Sequence, residues 1–253
     1  MDIVSRVVNL LKEEKTFCLA TVVESEAKDL KPGSKAIVMR DGSIEGSLGS
    51  ESLNQKLHDL SPTLFKENKS RTINIEDKVR VFINILSAET KLLVCGAGHI
   101  AIPLAEFARR VGFRVTVLDD RPDFANPSRF PDCNVLAENF AEALREMPLG
   151  SSTYVVVITR GHEHDVDCLA EILKKDTAYV GLIGSRRRVR IVLEVLGNEG
   201  IPPERLKNVF TPIGIPVGAE TPEEIALSIV SELVCVRRKG PAQARALRSA
   251  VGM

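Results

Sequence analysis

The sequence has no excess of charge of either sign. Lys and Arg together number 34, Asp and Glu also number 34, and the formal net charge is zero. Without a basic surplus, no electrostatic argument favours nucleic acid or an anionic membrane surface as a partner. We therefore expect the protein to bind small molecules or other proteins, and no nucleic acid.

Cysteine is scarce and scattered. The five cysteines form no C-x-x-C pair, so the sequence lacks the usual patterns of zinc sites, redox pairs and disulfide frameworks. They stand at Cys18, Cys95, Cys133, Cys168 and Cys235. This usage indicates a reducing compartment.

The chain also lacks a long apolar run. No stretch approaches the length of a membrane span, and residues 1–15 carry charged residues on an amphipathic pattern instead of a basic start followed by an apolar core. There is no internal repeat and no low-complexity tract. These absences predict a soluble, cytoplasmic protein without a membrane segment.

Residues 1–88 are predicted to form a small α+β domain. Apolar residues at helical spacing open the chain, and Asp41-Gly42 between two short β-forming runs is a hairpin signal. Leucines at helical spacing after residue 50 predict a helix. Two further β-forming runs, Arg71–Ile75 and Val79–Leu86, predict a second strand pair.

Residues 91–239 are predicted to form an α/β domain of the Rossmann type, with a doubly wound parallel sheet. β-forming runs alternate there with helical patterns. The expected strands are Lys91–Cys95, Arg114–Leu118, Asn134–Leu136, Tyr154–Ile158, Tyr179–Ile183 and Val209-Phe210. We expect a helix in each gap between strands, a last helix capped by Thr221, and a tail over residues 240–253.

A phosphate-binding turn is predicted at Gly96-Ala97-Gly98-His99-Ile100-Ala101. This G-x-G-x-x-A pattern directly follows an apolar strand and opens a helix, which is the context that its function requires. Gly96 would allow the tight turn, and Gly98 would let the backbone approach a pyrophosphate at the helix amino terminus. His99 lies inside the turn, where capping or phosphate contact is favoured over catalysis.

Asp119 is the expected ribose ligand. It follows the second strand of the predicted Rossmann domain, about twenty residues after the turn. A carboxylate there would accept hydrogen bonds from a ribose diol and repel a 2′-phosphate, so NAD(H) is favoured over NADP(H). Arg121 weakens that preference because it is a cation two residues away.

Polar side chains follow the fourth predicted strand. Ligands of this fold bind outside the carboxyl ends of the strands, near the switch point between the first and fourth. That rule places Arg160, His162, His164 and Asp165 at the mouth of the site. His-x-His also permits a metal interpretation, but Val166 stands where the hydrolase pattern H-x-H-x-D-H needs its aspartate, so no metal site is predicted.

A second anion site is predicted at Gly184-Ser185-Arg186. A glycine, a hydroxyl and three successive guanidinium groups enter a helix there, so backbone amides and Ser185 could hold a phosphate that Arg186 or Arg187 neutralises. A solvent-exposed basic helix face is the alternative interpretation. A glycine-rich loop over residues 213–224 follows, and helix capping explains its polar end without a ligand.

Five segments in order resemble the xanthine dehydrogenase accessory protein family, the XdhC and CoxI type of molybdenum-cofactor maturation factors. Members carry G-A-G-H, D-x-R-x-x-F-A-like, T-x-x-H-x-x-D, G-L-I-G-S-R and P-I-G-x-x-x-G-x-x-T-P-x-E-I-A segments. Here these are Gly96–His99, Asp119–Ala125, Thr159–Asp165, Gly181–Arg186 and Pro212–Ala226. Five matches in order are far more specific than any one of them.

The resemblance implies a small amino-terminal domain, a Rossmann domain and a chaperone role. A member would bind molybdenum cofactor, as molybdopterin or its cytosine dinucleotide, assist its sulfuration and deliver it to a xanthine or carbon monoxide dehydrogenase type of hydroxylase. A cysteine desulfurase would be a second partner, and a homodimer is the expected assembly. The ends of the cofactor would lie at Gly96–His99 and Gly184–Arg186.

The amino-terminal domain departs from the family pattern over residues 27–33 and 46–54. The family shows a G-S-V-G-G-G-C-x-E-like stretch, but here Ser52 stands at the cysteine position and Asn54 at the glutamate position. A thiolate binds molybdenum or carries sulfur, which a serine hydroxyl at neutral pH does poorly. Direct ligation of the cofactor by this loop is therefore not expected.

Two other functions are consistent with the same residues. An NAD-dependent oxidoreductase would use His99 or His162 as acid or base beside the nicotinamide, although no recognisable catalytic dyad supports it. A nucleotide-sensing or redox-sensing regulator would use the Rossmann domain for binding alone. Hydride transfer, co-purification with a pterin or a molybdenum enzyme, and ligand-dependent association would distinguish the three functions.

Overall fold

The computed structural model describes residues 2–13, 15–26, 30–67, 69–86 and 88–251. The chain divides into two compact units, Met1–Ala88 and Glu89–Met253. This division coincides with the end of the predicted amino-terminal domain. Among the described residues, no helix is both long and apolar enough to cross a membrane.

The amino-terminal unit contains an antiparallel sheet. Its elements are α1 (Ile3–Lys12), β1 (Phe17–Ser25), β2 (Lys35–Met39), β3 (Ile44–Gly46), α2 (Glu51–Glu67), β4 (Arg71–Glu76) and β5 (Val79–Leu86). The strands lie in the order β3-β2-β1-β5-β4, and all neighbours are antiparallel. The predicted hairpin joins β2 to β3, and Gly42 adopts the positive φ, 86°, that such a turn needs.

Alternate residues of this sheet face the two helices. Phe17 and Ile37 are buried with Leu10 of α1, whereas Cys18 belongs to the cluster around Leu53 of α2. Successive side chains of a strand point to opposite faces, so one sheet can serve two apolar clusters. The unit thereby has its own core.

The carboxyl-terminal unit contains a parallel sheet covered by helices. Its elements are β6 (Lys91–Cys95), α3 (Ala101–Arg110), β7 (Arg114–Asp119), β8 (Asn134–Ala137), α4 (Phe140–Glu146), β9 (Thr153–Val157), α5 (His162–Ile172), β10 (Tyr179–Leu182), α6 (Arg186–Asn198), α7 (Pro203–Lys207), α8 (Pro222–Lys239) and α9 (Pro241–Val251). The strand order is β10-β9-β6-β7-β8. This is the doubly wound order, with its switch point between β6 and β9. The Rossmann prediction is confirmed.

Both faces of the parallel sheet are buried. Leu92 faces a cluster shared with Leu104 of α3 and with α8, whereas Leu93 faces a cluster shared with Leu169 of α5 and with α4 and α6. All five residues of β9 are buried. Strands covered on both faces read as continuous apolar runs, which is why they were recognisable in the sequence.

The segment between β7 and β8 contradicts the expectation of a helix in each gap. Residues 120–133 form turns and bends only. Pro122, Pro127 and Pro131 stand at short intervals in it, and a proline inside a helix removes a backbone hydrogen bond and clashes with the preceding turn. The segment is therefore a loop.

Two elements near the carboxyl end also differ from expectation. Instead of a sixth strand, Phe210 makes a single parallel bridge with Gly181, because the chain leaves the sheet after it. The residues predicted as a tail contain helix α9, and its Ala244 is buried. Small alanine side chains give α9 little of the apolar pattern by which a helix is recognised.

Candidate functional site

The predicted phosphate-binding turn connects β6 to α3. Gly96 has a φ of 113°, and a Cβ there would lie 2.5 Å from the carbonyl oxygen of Ile158, so glycine is required. At Gly98 the space into which a Cβ would project is open, and His99 is exposed. One glycine is thus fixed by packing, and the other leaves room for a ligand.

Three backbone N–H groups of the turn are available to a ligand. Those of Gly98, His99 and Ile100 donate to no acceptor within the described part of the chain. They lie immediately before α3, where unsatisfied N–H groups and the helix dipole attract anions. The arrangement suits a phosphate or another oxyanion.

Asp119 anchors this turn from the neighbouring strand. Its side chain is 1% exposed; Oδ2 accepts from the Ala97 N–H at 2.7 Å and Arg121 Nη2 at 3.0 Å, and Oδ1 accepts from the Arg121 N–H and Nε at 3.0 and 2.8 Å. Burial opposes ionisation, but these hydrogen bonds outweigh it and lower the pKa of Asp119. A carboxylate has about four acceptor sites, so a ribose diol would have to displace one of these donors.

The loop after β7 folds back over the turn. The Arg121 guanidinium lies 3.6 Å from the ring centre of Phe124, and Arg129 donates to the carbonyl oxygens of Ala97 and Phe124 at 3.0 and 2.8 Å. The D-x-R-x-x-F spacing therefore has a structural reason. The aspartate holds the turn, the arginine holds the aspartate, and the aromatic ring supports the arginine.

A second ion pair stands at the ends of β7 and β9. The two oxygens of Asp120 accept from Arg160 at 2.5 and 2.8 Å, and these hydrogen bonds lower the pKa of Asp120 to about 2. The side chains of Arg121 and Arg160 remain 32% and 41% exposed. Both cations therefore reach the surface while part of their charge is neutralised.

The predicted histidines lie on helix α5. His162 begins this helix and is exposed, whereas His164 is partly buried, with its ring centre 5.5 Å from that of Phe140 and its Nδ1 3.9 Å from Asp167 Oδ2. Within the described ranges, no three His, Cys, Asp or Glu side chains are grouped to hold a metal ion. His162 is the histidine of this helix that remains open to a ligand.

The prediction that Asp165 lies at the mouth of the site is wrong. Asp165 is fully buried; its Oδ1 accepts from Thr159 Oγ1 at 2.6 Å, and its Oδ2 accepts from Arg188 Nε at 2.6 Å. Arg188 also donates to the Thr159 carbonyl oxygen at 3.1 Å. Because these contacts join the loop after β9 to the start of α6, Asp165 and Arg188 set loop geometry.

At the second predicted anion site, two of the three arginines are exposed and the third, Arg188, binds Asp165. Gly184 has a φ of 155°, and Ser185 caps α6 by accepting from the Arg188 N–H at 3.3 Å. Arg186 and Arg187 are exposed, and neither forms a hydrogen bond or ion pair with another described residue. Both guanidinium groups are available to an anion.

A buried glutamate beneath the glycine-rich loop was missed by the sequence analysis. Glu232 of α8 is fully buried; its Oε1 accepts from the Tyr179 hydroxyl at 2.5 Å and the Gly214 N–H at 3.1 Å, and its Oε2 lies 3.2 Å from Arg248 Nε. Burial and the charge of Glu232 raise the pKa of Tyr179 well above its ordinary value. The sequence signal for this buried site was a single acidic residue, Glu232, within the apolar stripe of α8. Its cationic partner, Arg248, lies in the segment that was predicted to be a tail.

The two residues that depart from the family pattern in the amino-terminal domain, Ser52 and Asn54, both form hydrogen bonds within that unit. Ser52, in the first turn of α2, donates its hydroxyl to Glu76 Oε1 at 2.9 Å, and Asn54 Oδ1 accepts from the Leu48 N–H at 3.0 Å. Of the other variant segment, residues 27–29 lie outside the described residues. The serine hydroxyl therefore serves a contact within its own unit.

Two family models match the chain. The model of the XdhC Rossmann domain matches residues 92–233, and the model of the XdhC and CoxI family matches residues 10–76. The first alone covers more than half of the chain and includes every predicted site residue. The chain belongs to the XdhC family.

Two relatives and a solved structure resemble this XdhC chain. It is 29% identical over 257 residues to uncharacterized protein YqeB of Escherichia coli. That alignment covers 95% of the chain and 47% of the E. coli protein. It is 32% identical over 167 residues to a probable xanthine dehydrogenase subunit of Bacillus subtilis. That alignment covers 66% of the chain and 48% of the B. subtilis protein. A crystal structure of a xanthine dehydrogenase from Bacillus halodurans matches at 25% identity with a TM-score of 0.67, over 99% of the chain and 71% of that structure. The chain spans about half the length of the two relatives.

The XdhC chain uses its motif segments for two purposes. Asp119, Asp165 and Arg188 make internal contacts that fix the loops after β7, β9 and β10. The N–H groups after Ala97 and the side chain of Arg186 have no such contacts among the described residues. The first group positions the site, and the second group is free to bind.

Proposed function

We propose that this XdhC family protein is an accessory protein for a molybdenum hydroxylase of the xanthine dehydrogenase type. It acts as a cytoplasmic homodimer that binds molybdenum cofactor, assists its sulfuration and delivers it to the client enzyme. The family, the names of the two Bacillus proteins and the anion site at the glycine turn support this proposal. The matched proteins are longer than this chain, so the client and the whole activity are part of the proposal.

The proposal rests most directly on three N–H groups, those of Gly98, His99 and Ile100, which donate to no acceptor among the described residues and lie beside the open space at Gly98. Molybdopterin bears a phosphate, and its cytosine dinucleotide bears a pyrophosphate. Either group offers oxyanions to a helix amino terminus, where such ligands bind well. The start of α6, with Arg186 unpaired among the described residues, would take the other end of a dinucleotide.

These residues fit the phosphate end of the cofactor better than its metal. The described residues contain no group of metal ligands, and the Ser52 hydroxyl is bonded to Glu76. The five cysteines are buried or half-buried, so none offers an exposed thiol for sulfur transfer. We therefore assign the supply of sulfur to a separate cysteine desulfurase, while this chain holds the cofactor.

An NAD-dependent oxidoreductase is the second candidate, because the free N–H groups of the turn suit the pyrophosphate of any dinucleotide. The contacts of Asp119 make this function less favourable. Its carboxylate already accepts four hydrogen bonds, three of them from Arg121, so it does not present a free acceptor to a ribose diol.

Gly98→Val tests whether the glycine turn holds the phosphate of the cofactor. The new side chain fills the space in which a phosphate would lie, so we expect the protein to lose bound pterin. The fold should persist, because no atom lies within 4 Å of the new Cβ. The protein is purified anaerobically from cells that make the cofactor, and the pterin released on denaturation is measured by its fluorescence.

Gly197→Ala is the matched control. This glycine lies in α6, and its new Cβ would make an ordinary contact of 3.7 Å with Leu206. We expect it to retain the wild-type amount of pterin. A Gly98→Val protein with as much pterin as the wild type would sink the assignment of the turn.

A further inference from the structure

A large open cavity lies beside the glycine-rich loop, and Arg186 is the one residue of its lining to which the proposed function gives a role. Its volume is about 860 Å³, and it is lined by residues 211–219, the start of α6 and helix α9. Ile213, Ile215 and Ile225 form apolar parts of its wall. The volume is in the range of small-molecule sites, which are largely apolar with a few polar groups.

Among the described residues, the lining contains three arginines and no acidic side chain. Arg245 donates to the carbonyl oxygens of Lys207 and Asn208 at the end of α7, and Arg248 pairs with Glu232. Arg186 has no hydrogen bond or ion pair with any residue in the described ranges. One guanidinium group therefore lines the cavity without a counterion in the part of the chain that the structure describes.

A cavity of about 750 Å³ beside α3 provides a contrast. Three of its four arginines pair with acidic residues of the same lining, Arg109 with Asp132, Arg110 with Glu106 and Arg114 with Glu89. The fourth, Arg129, donates to two backbone carbonyl oxygens. An anion would meet neutralised charges there. The unpaired Arg186 distinguishes the cavity at the glycine-rich loop.

The loop wall of this cavity is held in place by buried contacts. Gly214 has a φ of 91°, and a Cβ there would lie 2.4 Å from Ser228 Oγ. Its N–H donates to the buried Glu232, and Ser228 donates to the Ile215 carbonyl oxygen at 2.6 Å. The apolar surface is therefore formed before any ligand arrives, which lowers the ordering penalty of binding.

We propose that this cavity binds a small organic anion. The anionic group lies against Arg186, and the apolar body of the ligand packs on the isoleucines of the loop. The inference rests on the proposed function only in sharing Arg186. It uses none of the N–H groups of the Gly96–Ile100 turn.

Methyl NMR of isoleucine-labelled protein, titrated with naphthyl phosphate, tests the inference. We expect saturable shifts of the Ile213, Ile215 and Ile225 methyl groups. Arg186→Ala should weaken this binding by roughly tenfold to a hundredfold, because a charge-assisted hydrogen bond is lost. Arg238→Ala removes the same charge from the exposed end of α8, at a residue that is not among the lining residues, and should leave the affinity unchanged.

Three results would overturn the inference. Equal affinity for uncharged naphthol would show an apolar groove without preference for anions. Equal weakening by Arg238→Ala would show a general charge effect. Shifts confined to Ile100 and Ile102 would place the probe at the glycine turn. Because neither the molybdenum cofactor nor Gly98→Val enters this experiment, a failed cofactor proposal leaves its result intact.

Discussion

At the scale of single residues, Asp119 and Asp165 show how a buried charge can position a site without touching a ligand. Each carboxylate is at most 1% exposed, and each accepts from an arginine, Arg121 in one case and Arg188 in the other. Each also accepts from a group in a loop at the carboxyl end of the sheet. In the proposed site, ligand binding is left to backbone N–H groups and exposed cations.

Asp119→Asn is expected to destabilise the protein by about 3 kcal/mol, because it leaves the Arg121 guanidinium without its anionic partner. Urea unfolding followed by circular dichroism measures the change. Asp123→Asn is the control, since this exposed aspartate lies on the same loop and should change stability by less than about 0.5 kcal/mol. Equal stability of the Asp119→Asn protein and the wild type would contradict the anchoring role.

The lowered pKa of Asp119 also predicts a dependence on pH. Because the unfolded state binds the proton more readily, the contribution of Asp119 is complete above the unfolded pKa of about 3.9 and is lost as the pH falls through the folded value. The stability difference between wild type and Asp119→Asn should therefore shrink below about pH 4. A difference that stays constant from neutral pH into strong acid would rule out this origin.

At the scale of elements, helix α9 is attached to the Rossmann unit through a buried ion pair. Arg248 of α9 lies 3.2 Å from Glu232 of α8, and their side chains are 17% and 0% exposed. Glu232 also accepts from Gly214 of the glycine-rich loop. The helix therefore stabilises the loop that forms one wall of the cavity.

Arg248→Ala should lower the free energy of unfolding by about 3–5 kcal/mol, because it leaves the buried Glu232 charge uncompensated. Adding Glu232→Gln should restore part of the loss, since the amide oxygen can still accept from Tyr179 and Gly214. Urea unfolding of both variants is the measurement. Arg190→Ala, which breaks an exposed pair with Glu194, is the control with little expected change. A stable Arg248→Ala protein would mean that α9 packs without this pair.

The elements that were predictable from the sequence are those with strong local patterns. The apolar strands β6 and β9, the Asp41-Gly42 hairpin and the capping box of Thr221 and Glu224 are all present. The loop over residues 120–133 was not predicted, because a helix was expected in every gap between strands although the three prolines of this segment argue against one. Helix α9 was not predicted, because its small residues weaken the periodic signal.

The same limit applies to the site. The glycine turn was recognisable because its glycines stand at fixed spacing directly after an apolar strand and before a helix. The partners of Asp165 and Glu232 were not, since Arg188 and Arg248 are brought to them only by tertiary folding. A sequence can therefore mark the charged residues of a site without showing which of them face a ligand.

At the scale of the whole molecule, the zero net charge conceals local imbalance. The formal charges cancel over the chain, and many arginines pair with nearby carboxylates. Arg186 and Arg187 have no partner within the described part of the chain, and they lie at the carboxyl-end edge of the sheet, after β10. This local excess is consistent with a small anionic ligand and does not require a nucleic acid or a membrane.

Titration calorimetry under anaerobic, reducing conditions tests whether this protein binds molybdenum cofactor in preference to a nicotinamide dinucleotide. The purified protein is titrated separately with isolated molybdenum cofactor, NAD and NADP. We predict saturable binding of the molybdenum cofactor, with NAD and NADP binding weakly or not at all. Binding of NAD without binding of the molybdenum cofactor would contradict it and would favour a dehydrogenase or a nucleotide sensor.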